Sequence, residues 1–240
     1  NKTQISLYFS LMKKLKNKNV LVIAAHPDDE VLGCGGTIAR HVDNGDKVFI
    51  LFLADGTTSR TNKDGEKDKL MRIKAGIDAS ACLGAEPPQF LNFPDNKMDT
   101  IPLLNMVQEV EKVISEIRPA VVYTHHIGDL NIDHQITHKA VMTAARPQPD
   151  CSIREIYSFE VLSSTEWSTP SPESFFIPNR FVNISATLDR KLLALESYSD
   201  EMYKFPHSRS VESVSILARH RGSTMGMTAA EAFKVERILD

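Results

Sequence analysis

Short apolar runs alternate with amphipathic stretches along much of the chain. Three runs, at residues 20–24, 48–53 and 120–124, are continuous and rich in β-branched residues, and polar or glycine-rich sequence follows each of them. Continuous apolar runs of this length are typical of strands that are buried on both faces of a sheet. The pattern therefore predicts three central strands.

Helical periodicity occupies the segments between these runs, and it predicts four helices. Strands that alternate with helices form right-handed crossovers, so we expect an α/β fold with a Rossmann-like, mostly parallel sheet flanked by helices. The four helices are predicted at residues 35–44, 68–83, 101–117 and 133–144. The apolar positions of the second and third are Leu70, Ile73, Ile77 and Ala81, and Leu104, Val107, Val110, Val113, Ile114 and Ile117.

The last third of the chain differs in texture from the rest. Strand-like and helix-like segments still occur there, but a loop rich in Ser, Thr and Pro separates them. Strands are predicted at residues 153–162 and 181–184, helices at 188–199 and 210–221, and the loop at 163–172.

We expect residues 1–240 to form one domain, because the loop at 163–172 is too short to be a domain linker. Residues 150–240 would form a carboxy-terminal α+β elaboration of that domain. Residues 1–18 join a partly apolar piece to a lysine cluster, which is typical of an amphipathic lead-in helix.

Composition limits the classes of partner. The net charge is −3 and acids and bases are interspersed, so no basic surface for nucleic acid or an anionic membrane is predicted. No apolar run approaches the roughly 18 residues of a membrane span, and no signal peptide is evident. Cys34, Cys82 and Cys151 lack CxxC spacing, which argues against a disulfide framework and favours a reducing cytoplasm. We therefore expect a cytoplasmic protein with a small-molecule partner, and self-association is left open.

Two unusually polar segments follow predicted strands. "HPDDE" at residues 26–30 follows the first run, and "HHIGDLNIDH" at residues 125–134 follows the third. Ligands of a parallel sheet bind at the carboxyl ends of its strands, so the two segments are predicted to converge. One imidazole and one carboxylate from the first, with one imidazole from the second, match a catalytic zinc site that keeps an open position. The adjacent carboxylates Asp28 and Asp29 can then divide metal binding and proton transfer.

These two segments also carry a family resemblance. "AHPDDE" together with "DLNIDH" resembles the LmbE-like, PIG-L family of zinc-dependent N-acetylglucosamine deacetylases, over about residues 19–146. Later stretches such as "LARHRG" and "AEAF" are similar to a bacterial saccharide-biosynthesis subgroup. The resemblance implies that His26, Asp29 and His134 bind Zn²⁺, or another divalent metal such as Fe²⁺. It implies that Asp28 is the general base.

The resemblance implies attack of metal-bound water on the acetamide of an N-acetylated amino sugar or its nucleotide-activated form. Two alternatives stay open: an amidase or deacetylase of a low-molecular-weight thiol conjugate, and a non-catalytic sugar-binding relative. The second arises because Asn131 and Ile132 stand where several family members have His-Pro, and an amide does not shuttle protons. We favour Asp28 as the general acid, with His126 and His207 as alternatives.

The remaining candidates would contact substrate or support the site. Structural roles compete with these functional ones: Asp133 could cap a helix, Asp129 could belong to a turn, and Arg209 could form a surface ion pair instead of clamping a substrate anion. Only one of His125 and His126 is expected to face the site. The candidates are Glu30, Asp55, Arg60, Arg72, Asp95, His126, Asp129, Asn131, Asp133, His207 and Arg209.

Two further segments have an expected place near the site. Gly33, Gly35 and Gly36 would allow a tight turn and direct the amides of the next helix toward a substrate. The loop at residues 163–172 would act as a lid or a subunit contact, and we expect it to vary with substrate specificity. Trp167 within it has a packing anchor as its alternative role.

Overall fold

The computed structural model describes residues 17–54 and 65–240. Asp55 and Arg60 lie outside these residues, as does almost all of the predicted lead-in helix. The described residues form a seven-stranded sheet of order β3-β2-β1-β4-β5-β7-β6. The strands are β1 (Asn19–Ala24), β2 (Lys47–Ala54), β3 (Gln89–Phe93), β4 (Val121–His125), β5 (Glu155–Phe159), β6 (Arg180–Asn183) and β7 (Ala230–Ile238).

Helices cover both faces of this sheet. β1 to β5 run parallel, and β7 joins β5 and β6 in antiparallel pairs. The predicted fold class, a mostly parallel sheet flanked by helices, is confirmed. The helices are α1 (Asp29–Asp43), α2 (Gly65–Leu83), α3 (Leu103–Ile117), α4 (Ile132–Ala144), α5 (Leu188–Leu195) and α6 (Val211–Ser223), with short 3-10 segments at Met98–Thr100, Thr165–Trp167 and Glu196–Glu201.

The central strands explain the continuous apolar runs. In β1, Val20 and Val22 face a hydrophobic layer formed with α1, α2, α5 and α6. Leu21 and Ile23 face the layer formed with α3 and α4. Both faces of β1 are thus buried, so an alternating pattern of polar and apolar residues would have left polar groups in one of the two layers.

The predicted buried face of α2 is wrong. Leu70 is 67% exposed and Ile77 is 46% exposed, whereas the buried stripe carries Gly76, Ala79 and Leu83. A side chain at Gly76 would approach the rings of Phe90 and Phe52 to 3.1 and 3.3 Å, so α2 packs on those rings through small residues. Helical periodicity of large side chains indicated a helix but not the face that it buries.

The carboxy-terminal part extends the central sheet. β7 lies between β5 and β6, and its first four residues are buried. Glu231 in this strand accepts hydrogen bonds from the main-chain N–H groups of Gly36 (2.9 Å) and Thr37 (2.7 Å), and it pairs with the buried Lys191 (2.6 Å). Strand β7 therefore satisfies main-chain amides of α1. None of the helices within residues 17–54 and 65–240 combines the length and hydropathy needed to cross a bilayer.

Helix α1 starts six residues before its predicted start and has non-helical dihedrals at Cys34. Its glycines lie inside the helix, so the expected tight turn is not formed there. A Cβ at Gly33 would lie 2.2 Å from the ring of Phe159, and one at Gly36 would lie 2.8 Å from Ile184. These glycines allow α1 to pack directly on the sheet, and the amide of Gly36 faces Glu231 instead of a substrate.

We expect Gly33→Ala to lower the free energy of unfolding by about 1–3 kcal/mol, because the new methyl group overlaps the Phe159 ring. Urea denaturation followed by circular dichroism measures this change. Gly35→Ala is the matched control, since its nearest neighbour is the Val31 side chain at 3.1 Å and alanine favours the helix. Equal stability of the two variants would contradict the packing role of Gly33.

Candidate metal centre

The two polar segments meet at the carboxyl edge of the sheet. β1 and β4 are hydrogen-bonded neighbours, so the residues that follow them start side by side. Asp28 precedes α1 and has a φ of 112°, a left-handed conformation that is costly for a residue with a side chain. This turn reverses the chain after β1 and brings Asp29 back toward His26. The main-chain N–H of His26 donates to Asp29 Oδ2 at 2.9 Å.

Three donor groups converge on one point. One donor atom each from His26, Asp29 and His134 lies within 4.8 Å of the others, and all three residues are buried. Asp29 Oδ2 is 3.2 Å from His26 Nδ1 and 3.3 Å from His134 Nε2. Two nitrogen donors and one oxygen donor form a set that zinc accepts. The geometry of these three residues therefore fits a divalent metal.

The electrostatics of this cluster favour a positive charge. Burial opposes ionisation of Asp29, but the imidazoles of His134 and His125 hold its pKa well below the ordinary value. Burial lowers the pKa of His134, and the carboxylates of Asp29 and Asp129 outweigh it and raise that pKa to about 9. The buried carboxylates thus stabilise positive charge near them. Protonation of His134 provides such a charge, and a divalent metal ion would provide a larger one.

Carboxylates contact the ring nitrogens of His26 and His134 that face away from Asp29, and they orient the two rings. His134 Nδ1 is 3.1 Å from Asp129 Oδ1, on the side of the ring away from Asp29. His26 Nε2 is 3.0 Å from oxygens of both Asp95 and Asp133. In the neutral ring, a hydrogen on the outer nitrogen leaves the inner nitrogen with its lone pair toward Asp29. Metal-binding histidines use such carboxylate partners.

Asp95 and Asp133 form a second possible donor group with His26. Both oxygens of Asp133 already accept main-chain hydrogen bonds, from Asn96 at 2.6 Å and Met98 at 3.1 Å. Those bonds hold Asp133 as a support for the His26 ring. We therefore assign the metal-binding geometry to the group that contains His134.

Asp129 is itself held in place by the loop at residues 163–172. The hydroxyl of Thr165 donates to Asp129 Oδ2 at 2.5 Å, and the hydroxyl of Ser164 donates to Oδ1. Burial raises the pKa of Asp129, but His134 and these hydrogen bonds lower it to about 2. The loop thus contributes to the support of His134, a role that its composition did not reveal.

Asp28 occupies a different environment from Asp29. Its Oδ2 accepts a hydrogen bond of 2.9 Å from Arg209 Nη1, and Arg209 Nε donates to Ser163 Oγ at 2.8 Å. Burial raises the pKa of Asp28 to about 7, against the lowering effect of Arg209. A carboxylate with a pKa near neutrality can both accept and return a proton. The adjacent aspartates therefore differ in the way that two separate roles require.

Glu30 supports the turn that contains Asp28. Its Oε2 accepts from the main-chain N–H of Asp28 at 3.0 Å, and its Oε1 accepts from the Tyr198 hydroxyl at 2.7 Å. Burial raises the pKa of Glu30 to about 8. The side chain faces this turn and the 3-10 segment Glu196–Glu201, and it is not among the converging donors.

These residues surround a polar pocket of about 190 Å³. Arg72 and Glu201 form an ion pair of 2.5 Å at its wall, and no Phe, Tyr or Trp side chain lines it among the described residues. The pocket is lined by His26, Asp28, Asp29, Arg72, Asp95, Asn96, Asn131, His134, Glu201 and Arg209.

Asn131 has a structural role and also reaches the pocket. Its side-chain oxygen accepts from the Asp133 main-chain N–H at 2.8 Å, which caps α4, and its Nδ2 donates to Asn96 Oδ1 at 3.3 Å. An N-terminal cap next to His134 keeps the first turn of α4 in place. Asparagine at this position thus fixes the helix that carries His134.

His125 and His126 divide as expected, but the residue that reaches the cluster is His125. Its Nε2 lies 3.5 Å from Asp29 Oδ2 and accepts from the Ala25 main-chain N–H at 2.8 Å. Burial holds the pKa of His125 well below its ordinary value. His126 Nε2 lies 3.1 Å from the carbonyl oxygen of Ser174, so His126, a candidate from sequence, faces away from the pocket. Strand alternation after β4 accounts for this division.

The remaining sequence candidates divide by position. Arg72, Asp95 and Arg209 line the pocket, and His207 lies outside its wall, stacked on Tyr203 with ring centroids 4.3 Å apart. Sequence reasoning missed several supports, because they are distant along the chain and follow no spacing rule. The missed supports are Asn96, Ser164, Thr165, Tyr198 and Glu201.

The sequence matches one family model and is similar to known proteins. The family model described as PIG-L, GlcNAc-PI de-N-acetylase, matches residues 21–145. A protein named as the uncharacterized deacetylase YaiS of Escherichia coli (strain K12) is 31% identical over 189 residues, which cover 76% of this chain and 91% of that protein. A diacetylchitobiose deacetylase of Thermococcus kodakarensis is 28% identical, with 77% of this chain and 70% of that protein covered.

Solved structures agree in fold. The N,N'-diacetylchitobiose deacetylase of Pyrococcus horikoshii superposes with a TM-score of 0.75 at 21% sequence identity, and covers 93% of this chain and 85% of its own. At this identity the likeness concerns the fold. Because it covers 93% of this chain, it extends beyond residues 21–145, which the family model matches.

We expect Asn131→Ala to lower the free energy of unfolding by about 1 kcal/mol, because α4 loses its cap. Asn131→Asp retains an oxygen acceptor and should stay close to the original stability. Urea denaturation of both variants measures the difference. If the alanine variant proved as stable as the aspartate variant, the capping role would be refuted.

Proposed function

Because the chain belongs to the PIG-L family of deacetylases, we propose that it removes the acetyl group from an N-acetylated amino sugar, free or nucleotide-activated, with a zinc ion. One observation carries the proposal. His26, Asp29 and His134 converge at the base of a polar pocket, and Asp28 lies beside them as a separately held carboxylate. The names of relatives that act on diacetylchitobiose support an acetamido sugar as the substrate class.

The proposed ligands are His26, Asp29 and His134. Three protein ligands leave an open coordination position, as catalytic zinc sites require. A divalent metal bound there supplies a Lewis acid that polarises the acetamide carbonyl and lowers the pKa of a water molecule to about 7. Fe²⁺ would suit the same nitrogen and oxygen donors.

Asp28 is the proposed proton carrier in both directions. As a carboxylate it accepts a proton from the attacking water while the new C–O bond forms at the acetyl carbon. It then donates that proton to the amine nitrogen as the C–N bond breaks, so that acetate and the amino sugar leave. Arg209 holds one oxygen of Asp28 throughout, at 2.9 Å. His126 and His207 do not line the pocket, so they are less suited to serve as the general acid.

The polar lining supports a sugar as the bound group. Asp95, Asn96 and Asn131 offer both donors and acceptors, and Arg72 with Glu201 adds a paired charge. Hydroxyl groups of a sugar can use donors and acceptors of this kind on several sides. A long apolar acyl group would bury these polar atoms without partners, at a cost in free energy.

Acetate release from a panel of substrates tests the proposed function. The zinc-loaded protein is incubated with free, nucleotide-linked and lipid-linked N-acetyl sugars, and acetate is measured enzymatically. We expect release from at least one acetamido sugar. Turnover only of a thiol-conjugate amide would favour that alternative, and no release from any member of the panel would contradict the proposal.

We expect Asp28→Asn to bind metal normally and to lose about 10²- to 10⁴-fold in kcat, because the amide accepts no proton. Acetate release and elemental analysis of the same preparation measure the two properties. Asp150→Asn, at an exposed turn, is the control for loss of a carboxylate. Full activity of Asp28→Asn would exclude Asp28 as the general base.

We expect His134→Ala to lose its bound metal, because one of three proposed ligands is removed. Metal content per chain is measured by elemental analysis after dialysis, with circular dichroism to verify folding. His126→Ala removes a nearby imidazole that faces the Ser174 carbonyl, and it should retain the metal. An unchanged metal content in folded His134→Ala would show that His134 is no ligand.

A further inference from the structure

We propose that Trp167, His207 and Tyr203 form an aromatic platform that binds a second sugar ring beside the deacetylation pocket. The preferred substrate is then an acetamido sugar linked to another pyranose, not a monosaccharide. This inference rests on the proposed function of the pocket, and it concerns a surface outside the pocket wall.

The three rings form a continuous row. Tyr203 and His207 stack with centroids 4.3 Å apart and planes inclined by 28°. Trp167 also meets His207, in an edge contact with centroids 5.6 Å apart. Trp167 is 52% exposed and Tyr203 is 56% exposed, so the outer rings present apolar surface to solvent. Their mutual contacts hold them in place before any ligand arrives, which reduces the entropy lost on binding.

Short connections link the platform to residues that line the pocket. Tyr203 lies two residues after Glu201 and His207 lies two residues before Arg209, and both Glu201 and Arg209 line the pocket. The Tyr203 main-chain N–H donates to the Arg209 carbonyl oxygen at 2.9 Å. The Arg209 main-chain N–H donates to His207 Nδ1 at 3.0 Å. Tyr203, His207 and the Arg209 side chain that holds Asp28 therefore belong to one hydrogen-bonded turn.

Trp167 is tied to the same centre from the other side. It ends the 3-10 segment Thr165–Trp167, whose first residue donates to Asp129. Ser163, two residues before Thr165, accepts a hydrogen bond from Arg209 Nε at 2.8 Å. Two separate segments of the chain thus deliver rings to one place while their neighbouring residues hold Asp28 and Asp129. A surface tryptophan that packed only against its own loop would not have these links to Asp28 and Asp129.

The chemistry of the platform favours a pyranose over an acyl chain. A pyranose presents a face of C–H groups that packs on aromatic rings and a rim of hydroxyl groups that need polar partners. The rings supply the first, while the imidazole of His207 and the Arg72–Glu201 ion pair at the adjoining wall supply the second. An acyl chain would lie against these polar groups without satisfying them.

Trp167 is the only tryptophan in the sequence, so intrinsic tryptophan fluorescence reports on the platform directly. We expect N,N'-diacetylchitobiose to change the fluorescence of the zinc-loaded protein in a saturable way, and N-acetylglucosamine to change it only at much higher concentration. The same titration on Asp28→Asn removes turnover from the measurement. Absence of a saturable change with the disaccharide would overturn the proposal, whatever the outcome of the activity assays.

Kinetics on the two sugars separate binding from folding effects. We expect Trp167→Ala and Tyr203→Ala each to raise KM for the disaccharide about tenfold, with kcat and all constants for the monosaccharide unchanged. Trp167→Phe keeps an aromatic face and should restore most of the affinity. Phe205→Ala is the matched control, because Phe205 is 53% exposed and contributes no ring to the row.

The remaining outcomes distinguish a failure of the platform hypothesis from a failure of the proposed function. Equal losses on both sugars would show a structural role and overturn the platform. Stronger binding of an octyl N-acetylglucosaminide than of the disaccharide, sensitive to Trp167→Ala, would identify a lipid site instead. Saturable disaccharide binding without acetate release from any sugar would support the platform and contradict the deacetylation of acetamido sugars.

Discussion

The site depends on keeping two adjacent carboxylates buried together. Asp28 and Asp29 are both almost inaccessible to water, so their negative charges need nearby positive charge. Arg209 supplies it to Asp28, and the imidazoles supply it to Asp29. The left-handed φ of Asp28 separates the two side chains and directs them to these different partners. A metal ion at Asp29 would add further positive charge to this compensation.

The carboxy-terminal third supplies much of this compensation, although both aspartates come from the first strand-to-helix turn. Arg209 and Tyr198 reach that turn, and Thr165 reaches Asp129. β7 places Glu231 against the amides of α1, so the helix that begins at Asp29 packs on the last strand of the chain. This segment therefore takes part in both the sheet and the site, and a single domain over residues 1–240 stays a prediction.

Sequence patterns predicted the parts of the fold whose burial requires a recognisable order of apolar and polar residues. β1 is buried on both faces and is therefore continuously apolar. The polar residues that follow β1 and β4 predicted the edge of the sheet at which the candidate site lies. β7 was not predicted, because it has neither a continuous apolar run nor strict alternation: two apolar residues, Ala232 and Phe233, and two polar ones, Glu236 and Arg237, stand side by side. Arg209 is 181 residues from Asp28, so no spacing rule connects them.

Two chains of contacts lead outward from the centre and end on the same surface. One runs from Asp28 through Arg209 to His207, and the other from Asp129 through Thr165 to Trp167. The segments that hold the proposed proton carrier and the support of His134 therefore also carry the exposed rings. A change in the backbone of these segments would move Arg209 or Thr165 as well, since each segment has few residues between its two contacts. On the proposed platform, substitutions of the rings themselves would therefore alter recognition and leave the hydrogen bonds to Asp28 and Asp129 intact.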